Sequence, residues 1–298
     1  MTTQALEVVA PIRAPVRSSR QRHWRLHVLT RNPLVVVGLA LVVFFVTVAA
    51  LAGVLAPADP IAMKTSSVLE PPSLAAPFGT DRFGRDVLSR AMFGARASLL
   101  VGVGSIALAA TFGTVIGLLS GYFGGPIDNV LGRVMDVFFT FPSLILAIAI
   151  SAALGLGIQN AMLAIAITYW PVFGRLVRST TLAERSKDYV VAARVVGASG
   201  LRIMWAHLLP NGLSPIVVQV TVAISQAIII ESSLSYLGLG TQPPTPSWGT
   251  MINEGRTFLD SAPWISVFAG LAMMGAVLGF NFLGDGLRDI LDPRSRSF

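Results

Sequence analysis

The property that most restricts the fold of this chain is a set of long apolar runs without charge. Residues 34–56, 97–127, 137–174, 203–230 and 261–284 contain no Asp, Glu, Lys or Arg. A helix needs ~20 apolar residues to cross the hydrocarbon core of a bilayer. Charged residues make up only 12% of the chain, whereas soluble domains carry about 25%. The runs therefore predict an all-α polytopic membrane protein.

The number of transmembrane helices depends on the run 137–174, which is too long for one helix. Its middle contains Gly155 and Gly157, followed by the polar residues Gln159 and Asn160, a combination typical of a break. We therefore expect two short spans here, separated at this break. With the other four runs, the sequence predicts six transmembrane helices.

Positive charges predict which side of the membrane each segment faces, because they concentrate in cytoplasmic loops. With the N-terminus inside, the inner segments hold 16 of the 22 Lys and Arg residues. We therefore expect both termini on the cytoplasmic side of the membrane. The same rule accounts for the net charge of +7, so no nucleic-acid partner is predicted. The inner segments are residues 1–33, 122–136, 174–212 and 285–298.

The segments around the runs give the predicted organisation of the chain. The first segment is basic and lacks apolar periodicity, so it is expected to be largely disordered. The apolar run after it is too long for a cleavable signal and is expected to remain as an anchor. The predicted segments are a cytoplasmic tail (1–32), a first transmembrane anchor (33–56), an extracytoplasmic loop with an interfacial helix (57–96), a five-helix core that includes a cytoplasmic loop at 174–212 (97–284), and a cytoplasmic tail (285–298).

The sequence lacks the groups that an enzyme or a self-contained pump would need. A phosphate-binding loop requires a lysine after glycine, but Lys64 follows Met and Lys187 follows Ser. His23, His27 and His207 all lie outside the spans, so no Ser–His pair is predicted within the membrane. We therefore predict no catalytic residue, no metal site and no cofactor bound by this chain.

Glu231 is the one acidic residue well inside a predicted span, towards its outer end. Such a group could be a substrate contact, or the coupling acid of an ion-driven secondary carrier. The structural alternative is a carboxylate bonded to Ser232, Ser233 or a neighbouring helix end. We favour the structural alternative, because the spans offer neither a second acid nor a lysine to pair with Glu231.

Residues 189–210 lie between two predicted spans and have the pattern of two short helices. Asp188 is placed to cap the first helix, and Gly197 stands where a glycine lets the chain reverse in a left-handed conformation. Ser199 is placed to cap the second helix, which Pro210 is expected to end. The small residues of this 189–210 loop would let another protein approach its backbone closely. An ordinary connecting helix is the alternative, which the length, positive charge and spacing of the loop disfavour.

Residues 78–90 form a charged segment before the second span. Asp81–Arg85 and Asp86–Arg90 are acid–base pairs at i,i+4 spacing. The spacing favours an interfacial helix along the outer surface or against a partner subunit, with a substrate role as the alternative. The candidate residues of this segment are Gly79, Asp81, Gly84, Arg85 and Asp86.

Three prolines make residues 241–248, after the fifth span, a stiff turn that is predicted to be non-helical. Trp248, at its end, and Trp264, before the last span, suit anchoring at the membrane–water interface.

The 189–210 loop resembles the EAA loop of the membrane subunits of ATP-binding-cassette importers, although Val191 stands where the family has Glu. Residues 78–90, 231–249 and 284–294 are similar to the C-type permease subunit of the dipeptide, oligopeptide and nickel importers. The resemblance covers residues 30–294. The residues of the loop that match the family spacing are Ala192, Ala193, Gly197, Leu209 and Pro210.

This resemblance implies the permease fold of the type I importers, a location in a bacterial plasma or inner membrane, and a chain that is not itself an enzyme. It implies transport of short peptides, with nickel or another small solute as the alternative. The implied partners are a homologous B-type permease, two ATP-binding subunits that hold ATP and Mg, an extracytoplasmic binding protein that docks on residues 71–84 and 241–260, and membrane lipids. The implied ATPase-coupling residues are Tyr189, Ala192, Ala193, Gly197, Trp205, His207, Leu209 and Pro210.

Overall fold

The computed structural model describes residues 32–291, and within this range every regular element is a helix. The predicted all-α fold is therefore confirmed. The predicted disordered tail, apart from its last residue, and residues 292–298 lie outside the described part of the chain. The helices are α1 (Pro33–Leu55), α2 (Val87–Phe123), α3 (Gly125–Phe139), α4 (Ser143–Leu154), α5 (Ile158–Glu184), α6 (Asp188–Val195), α7 (Gly200–Ile203), α8 (Leu209–Asn211), α9 (Leu213–Tyr236), α10 (Trp248–Gly255) and α11 (Trp264–Leu291).

Five of these helices are long and apolar enough to cross a membrane, namely α1, α2, α5, α9 and α11. The helices α3 and α4 together satisfy the same criteria but are bent by 92° at the break between them. If this bent pair counts as one span, the number is six, as the sequence predicts.

The region predicted as the third span is a bent pair rather than a single helix. The chain turns at Gly124, whose φ of 67° is left-handed, and α3 begins one residue later. Pro142 then stands at the start of α4, where its missing N–H interrupts the helix. The break predicted at Gly155 and Gly157 is confirmed, because α4 ends before Gly155 and α5 begins after Gly157.

The centre of the bundle is the contact between α2 and α5. Gly117 permits this contact, because a Cβ atom there would lie 2.6 Å from the Gly174 oxygen and 2.7 Å from the Val177 Cβ. Gly113 faces α5 one turn away in the same manner. Close approach of backbones through small residues is the usual way for helices to associate in membranes.

The helices α2, α5 and α11 run in one direction between two ends of the bundle, and α1 and α9 run in the opposite direction. At one end, which we call the loop end, Arg185 donates to the Gly121 carbonyl at 2.9 Å beneath the 189–210 loop. At the other end, which we call the turn end, the Gly157 N–H donates to the Leu239 carbonyl at 3.4 Å. The residues 237–247 form the connection between α9 and α10 at the turn end.

Candidate functional site

The 189–210 loop is anchored to the bundle by an apolar base. Val190 and Ile203 are fully buried, and Met204 and Leu208 are 2% exposed. This base fixes the loop against three spans at once, since exposing a buried apolar side chain to water costs free energy. The residues of the spans that it contacts are Leu118 of α2, Val177 of α5 and Ile216 of α9.

The opposite face of the loop is apolar and exposed. Val195 and Val196 are 81% and 82% exposed, Leu201 66% and Trp205 51%. Contiguous exposed apolar residues on a rigid base are typical of a surface that binds another protein.

The turn at the centre of the loop follows the sequence prediction. Gly197 has a φ of 80°, and the Ala198 N–H donates to the Ala193 carbonyl at 3.0 Å, which closes the end of α6. The side chain of Ser199 accepts from the Arg202 N–H at 3.4 Å and caps α7. Both residues therefore act as the sequence predicts.

Two other predictions about this loop are wrong. Asp188 does not cap α6 but is its first residue, preceded by Lys187 at the cap position. Pro210 does not end the second helix, which continues to Asn211 and stops at Gly212. The preceding residues 204–208 form a wider π-helical turn. This turn lets the helix continue through Pro210, which has no backbone N–H to donate.

The first residue of the loop is held by an acid on α5. The Tyr189 hydroxyl donates to Glu184 Oε2 at 2.6 Å, and Lys187 forms an ion pair with the same carboxylate at 2.6 Å. Burial and the adjacent carboxylate raise the pKa of Tyr189 to about 12. This hydrogen bond connects the loop directly to the end of a long span.

The predicted coupling residues are divided between the two faces of the loop. Ala192, Gly197, Trp205 and Pro210 are exposed. Ala193 is buried in the base, whereas Tyr189 is 36% exposed. The residues that are partly buried between the two faces are His207 and Leu209.

Glu231 lies in a fully buried polar cluster between α9, α2 and the turn end. Its carboxylate accepts from Ser98 of α2 and from Ser235 of α9, each at 2.7 Å. Thr241 and Ser232 donate to it at 3.4 Å. These contacts support the structural interpretation.

Within this region, Ser233 is not a partner of the acid, because it donates to the Ile229 carbonyl at 2.8 Å.

The segment before α2 is a turn rather than the predicted interfacial helix. Asp81 and Arg85 do pair, at 2.6 Å, but α2 begins only at Val87. Asp86 does not pair with Arg90; it caps α2 by accepting from the Ser89 N–H at 2.7 Å. The glycines of this segment explain the turn, since Gly79 and Gly84 have φ values of 72° and 69°.

The charges of this segment belong to a network that the sequence analysis missed. Glu254 of α10 accepts from Arg85 at 2.8 Å and from Arg90 at 2.9 Å. Asp81 and the two arginines are at most 3% exposed, so the network is buried. The spacing of residues along the sequence does not predict that Glu254 pairs with the two arginines, because it lies far from both in the chain.

The two tryptophans predicted as interfacial anchors are held inside the turn end. Trp248 is fully buried and donates to the Ala91 carbonyl at 3.1 Å. Trp264 is partly buried and donates to the Thr80 carbonyl at 3.1 Å. The prediction for Trp248 is wrong, because its indole packs between α2 and α10 instead of facing the membrane surface.

A second set of charges, also missed from the sequence, lies on the exposed side of α3 and α5. Arg178 of α5 makes two hydrogen bonds to Asp128 of α3, at 2.5 and 2.7 Å. Arg175 pairs with Asp136 at 2.6 Å. Ser120 of α2 also donates to Asp128 at 2.5 Å. The spacing of these residues along the sequence does not indicate the contacts.

Comparison with known proteins decides the family. Residues 113–297 match the family described as binding-protein-dependent transport system inner membrane component. Residues 18–72 match the N-terminal TM domain of oligopeptide transport permease C. This chain belongs to the binding-protein-dependent transport permeases. The resemblance that the sequence motifs suggest is therefore confirmed.

Curated relatives of this permease match it over most of their length. The dipeptide transport system permease protein DppC of Alkalihalophilus pseudofirmus is 45% identical, over 90% of this chain and 88% of the relative. DppC of Haemophilus influenzae is 39% identical over 95% and 98%, respectively. The glutathione transport system permease protein GsiD of Pectobacterium atrosepticum is 46% identical over 76% of each chain.

A solved structure confirms the fold of the permease. The inward-facing MetNI methionine ABC transporter contains a chain that superimposes with a TM-score of 0.50 and 19% identity. The match covers 65% of this permease and 94% of that chain. The importer permease fold is thus the fold of this multi-pass membrane protein, an inner-membrane component of a transport system that depends on a binding protein.

Proposed function

We propose that this chain is the C-type permease subunit of an ATP-driven importer and forms half of the pathway for short peptides. The observation that carries the proposal is the exposed apolar face of the 189–210 loop on its buried base. Because the base of the loop is packed on α2, α5 and α9, a bound partner that moves the loop would move these helices with it. The residue types and spacing of the loop fit the ATPase-coupling loop of the importer family.

In the proposed complex, ATP is bound and hydrolysed by other chains. Two ATP-binding subunits hold ATP and Mg and dock on the 189–210 loop, and this permease binds no cofactor and hydrolyses nothing. A homologous B-type permease supplies the other half of the pathway. ATP and the substrate drive the change between inward- and outward-facing states, because each binds the two states with different affinity.

The proposed orientation puts the loop end and both termini in the cytoplasm. The distribution of Lys and Arg along the sequence supports this orientation. The turn end then faces outwards, and residues 71–84 and 241–260 are the proposed docking surface for the binding protein. Part of this surface is rigid, since Thr80 and Trp248 are buried and hydrogen-bonded.

Dipeptides are the proposed substrate class because two of the relatives described above are named dipeptide permeases. Glutathione is a second candidate, supported by the 46% identity to a glutathione permease, and it is itself a tripeptide. Nickel is less favoured. It prefers imidazole ligands, and the one histidine among residues 32–291, His207, lies in the 189–210 loop.

The experiment is uptake of labelled L-phenylalanyl-L-alanine into vesicles that contain the permease, its genomic neighbours and the binding protein, with and without internal ATP. ATP-dependent uptake that requires the binding protein is the expected result. In the same vesicles, Gly197→Asp should abolish uptake and release the ATP-binding subunits, because it adds a charge and a strained φ to the docking surface.

Gly238→Asp is the matched control for docking. Gly238 has the same φ of 80° and the same open space around its Cβ direction, but it lies at the turn end. The ATP-binding subunits should co-purify with Gly238→Asp and not with Gly197→Asp. Equal co-purification with both variants would show that the loop is not the docking site, whereas uptake driven by an ion gradient in the absence of ATP would indicate a secondary carrier.

A further inference from the structure

An ion pair lies on the surface of a membrane span, where lipid would not tolerate it. Arg175 and Asp136 pair at 2.6 Å, and their side chains are 53% and 68% exposed. Arg175 lies nine residues before the end of α5, or about 14 Å along the helix axis. Its neighbour Gly174 packs against Gly117 within the α2 span, so the pair lies deeper than the predicted inner-segment limits at 136 and 174. Charged groups at such depth face a bundle interior or a water-filled cavity. The side of the bundle formed by α3 and α5 is therefore not a lipid-facing side.

The helix α1 has the opposite character. It contains no charged residue, and its exposed side chains are large and apolar, as at Val43, Phe44 and Val54. This surface is fully compatible with hydrocarbon. The subunit thus has one exposed side that suits lipid and another that suits water.

An aromatic pocket lies next to the exposed ion pair, at the bend between α3 and α4. Its volume is about 290 Å³, and its walls include the ring of Tyr169 and the hydroxyl-bearing residues Ser143 and Thr168. Ligand pockets in proteins combine apolar walls with a few polar groups in this manner. The phenylalanines of the pocket are Phe138, Phe139 and Phe141.

A charged groove of about 380 Å³ adjoins this pocket. The two share a rim, because the Arg175 guanidinium of the groove stacks over the Phe139 ring at 3.9 Å from its centroid. Three arginines and two aspartates line the groove. Of these, Arg133 is exposed and forms no ion pair with any residue between 32 and 291. Its guanidinium is therefore available to a carboxylate from outside this part of the chain.

We propose that the bend between α3 and α4 lines the translocation pathway and forms a subsite for a zwitterion with an apolar side chain. The aromatic pocket accepts the side chain, Arg133 binds the carboxylate, and Asp136 faces the ammonium group. A short peptide has this combination of groups, so the inference rests on the proposed function and adds the place where the substrate is held in transit. Arginine suits the carboxylate because it can form two parallel hydrogen bonds to it.

The absence of cysteine from the sequence allows a direct test of water access. In the assembled importer, Phe141→Cys should react with the charged reagent sulfonatoethyl methanethiosulfonate, because a thiolate forms and reacts in water. L-phenylalanyl-L-alanine should slow the reaction. Phe44→Cys is the control, since Phe44 is 57% exposed and Phe141 52%, but Phe44 lies on the apolar surface of α1.

The second measurement compares the uptake of two dipeptides that differ in one side chain. Phe141→Ala should reduce uptake of L-phenylalanyl-L-alanine relative to L-alanyl-L-alanine by roughly two- to ten-fold, the range expected for loss of one aromatic contact. Arg133→Gln should reduce uptake of both dipeptides. Phe44→Ala should change neither the ratio nor the rates, and all three variants should retain the ATP-binding subunits.

The outcomes separate this inference from the proposed function. If the unaltered importer transports neither dipeptide, the peptide function fails first. If it transports both, but Phe141→Cys is as unreactive as Phe44→Cys, the bend is covered by lipid or by a partner subunit and the inference is wrong. Labelling at position 141 that L-phenylalanyl-L-alanine does not slow, together with an unchanged uptake ratio, would also overturn the subsite.

Discussion

Arg85 and Glu254 pair at 2.8 Å although 169 positions separate them in the chain. Arg90 donates to the same carboxylate oxygen at 2.9 Å. Glu254 therefore joins the turn before α2, the first turn of α2, and α10 into one buried unit at the turn end. Breaking a buried ion pair leaves an uncompensated charge, which costs more than the pair itself contributes.

We expect Glu254→Gln to destabilise the protein by about 3 kcal/mol, because two buried guanidinium groups would then share Asp81 alone. The measurement is thermal unfolding of the detergent-purified subunit. Asp260→Asn is the control, since Asp260 is exposed and should change the midpoint little. Similar shifts for both variants would mean that the network contributes no more than surface charge.

Glu231 should matter for stability rather than for ion coupling. Glu231→Ala leaves four hydroxyl groups without their buried acceptor and should cost about 2 kcal/mol or more. Glu231→Gln retains an acceptor oxygen and should keep most of the ATP-driven uptake. Ser233→Ala is the control for unfolding, because its hydroxyl bonds only to its own helix. Complete loss of transport in a stably folded Glu231→Gln protein would favour a coupling role.

Tyr189 should remain protonated in alkaline solution that ionises ordinary tyrosines. Its pKa is raised to about 12, so the stabilisation of its neutral form is complete below about pH 10 and is lost as the pH rises through 12. The difference in phenolate absorbance between the unaltered protein and Tyr189→Phe should stay near zero at about pH 10.5. Glu184→Gln should bring this titration to lower pH. A Tyr189 contribution already present near pH 10 would contradict the contact with Glu184.

The contact between α2 and α5 should not tolerate a methyl group at its centre. Gly117→Ala puts a Cβ atom within 2.6–2.7 Å of α5 and should destabilise the bundle by about 1–3 kcal/mol. Gly270→Ala in α11 is the matched control, because no atom lies within 4 Å of its Cβ position. It should be neutral or stabilising, since alanine favours a helix over glycine. Equal melting temperatures for the two variants would contradict the close approach.

Local patterns predicted the local structure well. The glycines at positions 155 and 157 end and begin helices, and Gly197 and Ser199 shape the 189–210 loop as expected. In each case, a residue acts through its own backbone or through a neighbour within three positions. The same reasoning failed at Pro210, because a π-helical turn accommodates the proline without ending the helix.

Predictions that depended on distant partners were incomplete or wrong. The spacing of Asp81 and Arg85 indicated their ion pair, but it did not indicate Glu254, and it suggested a helix where the chain turns. Trp248 has the residue type of an interfacial anchor, yet it is buried against Ala91. Burial and pairing across the bundle are decided by how helices pack, which spacing along one helix does not encode.

Sequence alone predicts that this chain is a helical membrane protein and that residues 189–210 turn at Gly197, because apolar run length and backbone constraints act locally and need no tertiary partner. Helix packing in the folded protein fixes which side of each helix is buried and whether its exposed side is charged or apolar. That choice follows from the rotation of the helices, which puts Asp136 and Arg175 beside an aromatic pocket and the bare apolar surface on α1. The rotation is fixed by contacts between distant segments, such as that of Gly117 with Gly174.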